Sequence, residues 1–349
     1  MPVIAVIGAT TWGATLGVTL AKKGHEVRLL ARTEDEAEAM RLNRLYKFNL
    51  PTGRYPAKMS FTGSPQKALT GARALILAAT AQTMRQNMRH IAPYITESVL
   101  IINGCKGLEL DSGKRLTQVI GEELPLEHRR NICVLSGPNL AREILAGHPA
   151  ATVIANEDIK VARAAQRLLN SPRLCVYTNT DVIGVELGGA LKNIVALAAG
   201  VADGLGYGDN AKSALMTRGL AEITALGVAL GANPLTLSGL AGLGDMMATC
   251  ASPLSRNHHV GIELAKGRKL DEITDEMDNV AEGVPTTLAA WKLAQKLGIG
   301  MPITEKMYRV LYGGLSPQQA ARELLAAETH HELDGRRWRL LNVIKKKGH

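Results

Sequence analysis

The sequence predicts an α/β protein whose first part, residues 1–180, forms a doubly wound and mainly parallel sheet, followed by an all-α part over residues 181–349. Three observations lead to this prediction. Continuous apolar runs alternate with helical patterns through the first half, as in a parallel sheet covered on both faces. A glycine turn links the first apolar run to the first helical pattern. After Pro172 a last short strand is followed only by helical patterns.

The first predicted unit is a strand over residues 3–7, the turn Gly8-Ala-Thr-Thr-Trp-Gly13, a helix over residues 14–23 and a strand over residues 26–30. In a strand–turn–helix–strand unit that binds a dinucleotide, the pyrophosphate lies at the N-terminus of the helix. Thr10 stands where the fingerprint has its middle glycine, and degraded glycine turns also open helices for structural reasons alone. The predicted cofactor contacts of this turn are Gly8, Thr10, Thr11, Trp12 and Gly13.

The end of the second strand bears on the choice of dinucleotide. An acidic residue there binds the ribose 2′-hydroxyl of NAD, whereas an arginine pairs with the 2′-phosphate of NADP. The sequence has Arg32, so NADP is favoured, and Glu34 keeps NAD possible. A solvated loop charge is the alternative interpretation of Arg32.

The remaining strands and helices of the first part alternate. Strands are predicted over residues 74–78, 99–103, 133–135 and 174–177, and helices over residues 83–90, 113–124 and 140–146. Ligands of such sheets gather at the carboxyl ends of strands. Two turns follow strands, one with Lys106 and one with Gly137 and Asn139. Each can offer an anion an ammonium or backbone amides, or can simply connect two elements.

The second part begins with a long apolar helix, capped by Asp181 and predicted from residue 182 to about residue 203. From residue 182 to 202 its only charged side chains are Glu186 and Lys192, and small or apolar residues lie three and four positions from Lys192. A buried unpaired ammonium is unfavourable. Lys192 must therefore reach solvent, pair with a carboxylate, or act in a cleft.

Charge and composition limit the possible partners. The formal charge is +9, but basic and acidic residues interleave, and only two Phe, seven Tyr and three Trp are present. Few aromatic residues argue against nucleic-acid binding, and an anionic small molecule accounts for the excess charge. The most basic stretch, residues 336–347, is expected to pack as an end helix, with contact to an acidic membrane surface as the alternative.

The expected location is the cytoplasm. No secretory signal pattern precedes the first strand, and the longest helical apolar run, residues 194–202, is shorter than a membrane span requires. The four cysteines are widely spaced, so neither a disulfide framework nor a metal site is expected.

Several unusual strings occur together and in one order. They are residues 8–13 with Trp12, Lys106-Gly-Leu-Glu109, Leu135-Ser-Gly-Pro138, Gly184-Val-Glu-Leu-Gly-Gly-Ala-Leu-Lys-Asn193, Thr217-Arg-Gly-Leu-Ala-Glu222, Gly239-Leu-Ala-Gly-Leu-Gly-Asp245, Thr249-Cys, Ser255-Arg-Asn257 and Met301-Pro-Ile-Thr304. Together they resemble the bacterial-type NAD(P)-dependent glycerol-3-phosphate dehydrogenases, up to about Leu325. The resemblance implies a Rossmann domain followed by a helical domain, and interconversion of dihydroxyacetone phosphate and sn-glycerol 3-phosphate, which supplies glycerophospholipid synthesis. The chain is also expected to form a homodimer.

The resemblance also implies roles for individual residues. Lys192 is the catalytic acid and base, with Asp245 as a carboxylate of the substrate site and Asn193 beside the substrate. Arg256 holds the substrate phosphate and also contacts the cofactor, and Lys106 contacts both ligands. The further substrate residues are Gly137, Asn139, Thr249, Ser255 and Asn257, and the further cofactor residues are Ala141 and Glu282.

Some positions depart from the family pattern. Thr10 replaces a glycine, residues 79–81 read Ala-Thr-Ala, Asn139 replaces Ser or Thr, and the stretch after Leu325 has an unfamiliar basic ending. Two alternatives therefore stand beside the dehydrogenase. One is a related two-domain hydroxyacid dehydrogenase. The other is a catalytically weakened dinucleotide-binding or sensor protein.

Overall fold

The computed structural model describes residues 2–45, 53–96, 98–277 and 280–326. Within these ranges the first part of the chain forms one sheet in the order β3-β2-β1-β4-β5-β6-β7-β8. The strands are β1 Val3–Ile7, β2 Glu26–Leu30, β3 Met59–Thr62, β4 Ala72–Leu77, β5 Leu100–Asn103, β6 Ile132–Ser136, β7 Ala150–Ala155 and β8 Leu174–Asn179. The predicted doubly wound, mainly parallel sheet is confirmed.

Helices connect these strands and then make up the rest of the described chain. In the first part they are α1 Thr11–Lys22, α2 Glu34–Asn43, α3 Pro65–Leu69, α4 Met84–Ile91, α5 Leu116–Glu122, α6 Leu126–Arg129, α7 Ala141–Ala146 and α8 Ile159–Leu169. In the second they are α9 Val182–Gly204, α10 Asp209–Ala229, α11 Pro234–Leu237, α12 Asp245–Ala251, α13 Arg256–Ala265, α14 Leu270–Asp275, α15 Gly283–Leu297, α16 Pro302–Tyr312 and α17 Pro317–Leu325, with a π-helical turn at Leu240–Gly244. The basic stretch of residues 336–347 lies outside the described residues.

Two strands, β3 and β7, are absent from the sequence prediction. β3 pairs in parallel with β2, and β7 pairs antiparallel with β6. All other neighbouring strands are parallel. The reversal at β7 means that β1 to β6 end at one edge of the sheet, whereas β7 and β8 end at the opposite edge.

The turn after β1 is shaped by glycine and capped by Thr10. Gly8 has a φ of 110°, and a Cβ there would lie 2.8 Å from the carbonyl oxygen of Ala78. The Thr10 hydroxyl accepts a hydrogen bond from the amide of Gly13 at 3.1 Å and donates one to the carbonyl of Ala78 at 2.7 Å. Helix α1 therefore begins at Thr11, earlier than the predicted residue 14, with Thr10 as its N-cap.

Helix α9 is the core of the helical part. Asp181 caps it by accepting a hydrogen bond from the amide of Gly184 at 2.8 Å, as predicted. Residues 184–202 are all buried, and α10, α12, α13 and α15 pack around them. The closest approach is at Gly200, where a Cβ would lie 2.0 Å from the carbonyl oxygen of His258 in α13. Each fully buried leucine of α9 contributes about 1.5–3 kcal/mol through loss of water contact.

Among the described helices, α9 alone is long and apolar enough to cross a membrane. Its best window has a mean hydropathy of 1.6 and is 89% buried inside the protein. The apolar side chains of α9 are therefore in contact with the surrounding helices and the sheet.

Candidate active site

A cavity of about 450 Å³ opens where the carboxyl edge of β1 to β6 meets the helical part. Its wall combines the turns after the strands with side chains of α9, α12 and α13. Fourteen predicted site residues line it: Thr10, Thr11, Trp12, Lys106, Asn139, Ala141, Lys192, Asn193, Asp245, Thr249, Ser255, Arg256, Asn257 and Glu282. Residues that are far apart in the chain thus share one cavity.

Lys192 is held inside this cavity by polar partners. Its Nζ lies 2.9 Å from Oδ1 of Asp245 and donates a hydrogen bond to the Thr249 hydroxyl. The other carboxylate oxygen of Asp245, Oδ2, lies 2.5 Å from Nζ of Lys106, which also donates to the carbonyl of Gly137 at 3.1 Å. The side chains of Lys192 and Asp245 are only 8% and 2% exposed. One buried carboxylate therefore bridges two lysines.

Burial and neighbouring charges set the acidity of Lys192. Desolvation lowers the pKa of the ammonium to about 8, with the Asp245 carboxylate opposing this shift and the Lys106 charge adding to it. A lysine with this pKa can both donate and accept a proton near neutral pH.

The N-terminus of α13 brings a second cation to the cavity. Ser255 caps the helix by accepting a hydrogen bond from the amide of His258 at 3.2 Å, and Arg256 is the first helical residue. The Arg256 guanidinium forms no ion pair or hydrogen bond with any described residue. Desolvation by the neighbouring protein lowers the pKa of this group, an effect that the Glu282 carboxylate opposes. An anionic ligand would supply the missing partner.

Two buried asparagines connect α9 to α13. Nδ2 of Asn257 donates to Oδ1 of Asn193 at 2.9 Å, and Oδ1 of Asn257 accepts from the amide of Gly283 at 2.9 Å. These bonds fix the orientation of both side chains. The amide Nδ2 of Asn193 is then the group that this residue can offer a ligand.

Two cavity residues have a buried oxygen atom that finds no hydrogen-bond partner within the described ranges. Oε2 of Glu282 and Oδ1 of Asn139 accept no hydrogen bond from the part of the chain that the structure describes. Oε1 of Glu282 accepts from the amide of Ala81 at 2.8 Å, and Nδ2 of Asn139 donates to the Thr152 hydroxyl at 2.8 Å. Burial raises the pKa of Glu282 to about 7. Both side chains are thus fixed with one acceptor left for a ligand.

Four predicted residues lie outside the cavity wall, which contains neither Gly8, Gly13 and Gly137 nor Arg32. Gly8 and Gly13 shape the turn behind it. Arg32 follows β2 with its side chain 84% exposed, 3.4 Å from Oε1 of Glu36.

Glu34 does not point toward Arg32. Its carboxylate accepts a hydrogen bond from the amide of Gly63 at 2.6 Å and pairs with Arg41 at 2.8 Å. The reason for keeping NAD possible therefore does not rest on Glu34 in this structure.

Comparison with known protein families extends the resemblance to both parts of the chain. Residues 3–162 match the model described as NAD-dependent glycerol-3-phosphate dehydrogenase N-terminus, and residues 181–322 match the model described as its C-terminus. The chain belongs to this family. The resemblance inferred from the sequence is confirmed.

Relatives in the glycerol-3-phosphate dehydrogenase family cover almost the whole chain. A protein of Dehalococcoides mccartyi named glycerol-3-phosphate dehydrogenase [NAD(P)+] is 54% identical over 99% of this chain and 97% of its own. One of the same name from Geobacter metallireducens is 47% identical over 94% and 98%. The crystal structure of glycerol-3-phosphate dehydrogenase from Coxiella burnetii superimposes with a TM-score of 0.88 at 35% identity, covering 93% of this chain and 99% of that one.

The family pattern did not single out every residue of the cavity wall. The additional residues are Ala78, Ala79, Thr80, Gly104, Cys105, Leu140, Arg142, Ala248, Pro253, Leu254, His259, Met277 and Val280. The residues after β4 and β5 could have been found from their place at carboxyl strand ends. His259 could have been found from its spacing of three residues from Arg256 on one helix face. No sequence signal marks Met277 or Val280.

Proposed function

We propose that the protein catalyses the reversible NAD(P)H-dependent reduction of dihydroxyacetone phosphate to sn-glycerol 3-phosphate, which supplies glycerophospholipid synthesis. The observation that carries this proposal is the buried Lys192, fixed by Asp245 and Thr249 in the cavity that also contains the guanidinium of Arg256, which pairs with no residue that the structure describes. Family membership supports the same reaction.

Lys192 supplies the proton in this mechanism. As the ketone is reduced, negative charge develops on its oxygen, and an ammonium beside that oxygen stabilises the charge and then transfers its proton. In the oxidation direction neutral Lys192 accepts the proton of the hydroxyl group. Asp245 holds the ammonium in place, and Nδ2 of Asn193 orients a substrate hydroxyl.

Arg256 is proposed to bind the substrate phosphate. A guanidinium can form two parallel hydrogen bonds with phosphate oxygens, and the amides at the N-terminus of α13 favour negative charge. Asn257, Ser255 and Thr249 lie on the same wall. Lys106, which donates a hydrogen bond to the carbonyl of Gly137, and Asn139 in the same cavity wall complete the proposed substrate side.

The nicotinamide dinucleotide supplies the hydride when it is bound. The residues fit this group, because the N-terminus of α1 opens on the cavity and a buried oxygen atom of Glu282 has no partner among the described residues. We propose that residues 8–13, Lys106, Ala141, Arg256 and Glu282 hold it, with Arg32 at the adenosine end. Arg32 favours NADP, while NAD also remains a cofactor.

We further propose a division of the chain near residue 180, a cytoplasmic location and a homodimer. The division is supported by the end of β8 at Asn179 and the start of α9 at Val182. The location is supported by the cysteines, all four of which are free thiols and three of which are buried.

The proposed function is tested by mixing purified protein with NADPH and dihydroxyacetone phosphate and following the loss of NADPH absorbance. We expect turnover by the wild type, a loss of about a hundredfold or more for Lys192→Ala, and retained NADPH binding by that variant. Lys160→Ala, which changes an exposed lysine of α8, is the matched control and should be unaffected. Wild-type binding of NADPH without turnover would instead favour the sensor protein.

A further inference from the structure

The end of β2 carries a charge arrangement that bears on cofactor selection. β1 and β2 are parallel with Ile7 opposite Leu30, so the residues after Leu30 lie beside the turn that begins at Gly8. The amide of Gly8 donates a hydrogen bond to the carbonyl of Leu30 at 3.4 Å. In a Rossmann fold this is where the adenosine ribose is read. A charge fixed after Leu30 can therefore act on a 2′-phosphate.

Glu36 is such a fixed charge. Its Oε2 accepts a hydrogen bond from the backbone amide of Arg32 at 2.9 Å, and its own amide donates to the Thr33 hydroxyl at 3.1 Å. The Glu36 side chain is 17% exposed, whereas that of Arg32 is 84% exposed. The Glu36 carboxylate is thus fixed by a hydrogen bond to the backbone directly after β2, whereas the Arg32 guanidinium is exposed and free to move.

The same carboxylate also competes for the arginine. Oε1 of Glu36 lies 3.4 Å from Nη2 of Arg32. A 2′-phosphate that pairs with Arg32 must replace this weak ion pair and must also approach a fixed negative charge. A ribose 2′-hydroxyl has neither requirement, and it can donate a hydrogen bond to a carboxylate.

We propose that Glu36 is a specificity-determining residue that restrains the preference for NADP given by Arg32, so that both dinucleotides are used. The inference rests on the proposed function, in which Arg32 reads the 2′-phosphate. The neighbouring acids of α2 act elsewhere: Glu34 binds the amide of Gly63, and Glu38 pairs with Arg41. Among the acids of α2 that the structure describes, which also include Asp35, only Glu36 forms an ion pair or hydrogen bond with Arg32.

The test compares Glu36→Gln with the wild type. Glutamine keeps an oxygen atom that can accept from the amide of Arg32 but removes the charge. We expect the dissociation constant of NADP+ to fall roughly fivefold relative to that of NAD+, and the gain to shrink at high salt because the Arg32 side chain of the ion pair is exposed. Dissociation constants are measured by calorimetry without substrate, so a failure of turnover does not affect the result.

Glu38→Gln is the control, because it removes a carboxylate charge of the same helix that pairs with Arg41 and forms no ion pair with Arg32. An unchanged ratio in Glu36→Gln, or an equal ratio change in the control, would contradict the proposal. Equal weakening of both cofactors would also contradict it, since this indicates a purely structural role.

In an Arg32→Ala background the gain in NADP+ binding should be smaller, and an undiminished gain would exclude competition for Arg32. Wild-type protein that binds neither dinucleotide would overturn both the inference and the proposed function, whereas binding without turnover would overturn only the latter.

Discussion

At the scale of single residues, the two charged side chains of α9 show how burial and partner determine a role. Glu186 accepts hydrogen bonds from the amide and hydroxyl of Thr117 at 2.7 and 2.6 Å and pairs with Arg115 at 2.8 Å. Its acceptors are thus used within the protein. Lys192 shares its carboxylate partner with a second lysine and lies in the cavity wall. It therefore keeps a proton that a ligand can reach.

The bridging position of Asp245 gives opposite predictions for two variants. Reduction needs protonated Lys192, so the rate should fall as pH rises through about 8. Asp245→Asn removes the charge that raises the pKa of Lys192, and the fall should move to lower pH. Lys106→Met removes a charge that lowers this pKa, and the fall should move to higher pH. The measurement is kcat/KM against pH, and movement of both profiles in one direction would rule out this electrostatic account.

The sequence predicted that Lys192 needs a partner but could not identify it from residue patterns alone. Asp245 entered through the family resemblance, and Lys106 lies 139 residues before it in the chain. Such a contact depends on how two separate parts of the chain pack. The ion pair between Arg32 and Glu36 lies within one turn of helix, but the sequence alone does not show which of three acids in that turn faces the arginine.

At the scale of elements, α9 and α13 form the closest helix pair of the site. The carbonyl of His258 approaches Gly200 so closely that only a residue without a side chain fits. This contact sets the distance of the Arg256 end of α13 from Lys192. Strand β1 could be predicted because it is a continuous apolar run, and β2 because it follows the glycine that ends the first helical pattern. Strand β7 was missed because its sequence, Ala-Ala-Thr-Val-Ile-Ala, contains alanines that suit a helix equally well.

Gly200→Ala should disturb this helix pair. A Cβ would lie 2.0 Å from a backbone oxygen that cannot rotate away, so we expect a loss of about 1–3 kcal/mol in the free energy of unfolding and a higher KM for dihydroxyacetone phosphate. Gly208→Ala is the matched control, because no atom lies within 4 Å of its added Cβ. Urea denaturation and steady-state kinetics measure the two effects. Equal stability of the two variants would show that α13 moves without strain.

At the scale of the whole molecule, polar contacts fasten the helical part to the sheet part around the cavity. Asp245 binds Lys106, Glu282 binds the amide of Ala81, and Glu186 binds Arg115 and Thr117. The first two contacts involve predicted ligand residues. Binding of substrate and cofactor would therefore alter contacts that hold the two parts of the chain together. The third contact, made by Glu186, lies apart from the cavity wall, so it holds the two parts together whether or not a ligand is bound.

Arg115→Ala tests how much the contact of Glu186 with Arg115 stabilises the protein. It would leave the Glu186 carboxylate, only 2% exposed, without its cationic partner, and we expect a loss of about 3 kcal/mol in the free energy of unfolding. Arg89→Ala removes an ion pair of Glu123 from an arginine that is 66% exposed and should change stability by about 0–1 kcal/mol. Denaturant titration of both variants gives the comparison. A small effect of Arg115→Ala would mean that water or Thr117 alone satisfies Glu186.

The reversal of β7 has a consequence for the length of chain that precedes Lys192. β8 ends at the edge of the sheet opposite to the cavity. Helix α9 must therefore run along the full length of the strands to bring Lys192 to the cavity. Ten residues from Val182 rise about 15 Å, close to the height of the five-residue strand β6. The number of residues between the start of α9 and Lys192 thus sets the position of the amine relative to the cavity. One residue inserted before Lys192 would raise its amine by about 1.5 Å and turn it by about 100° away from Asp245, so the first half of α9 is fixed in length as well as in sequence.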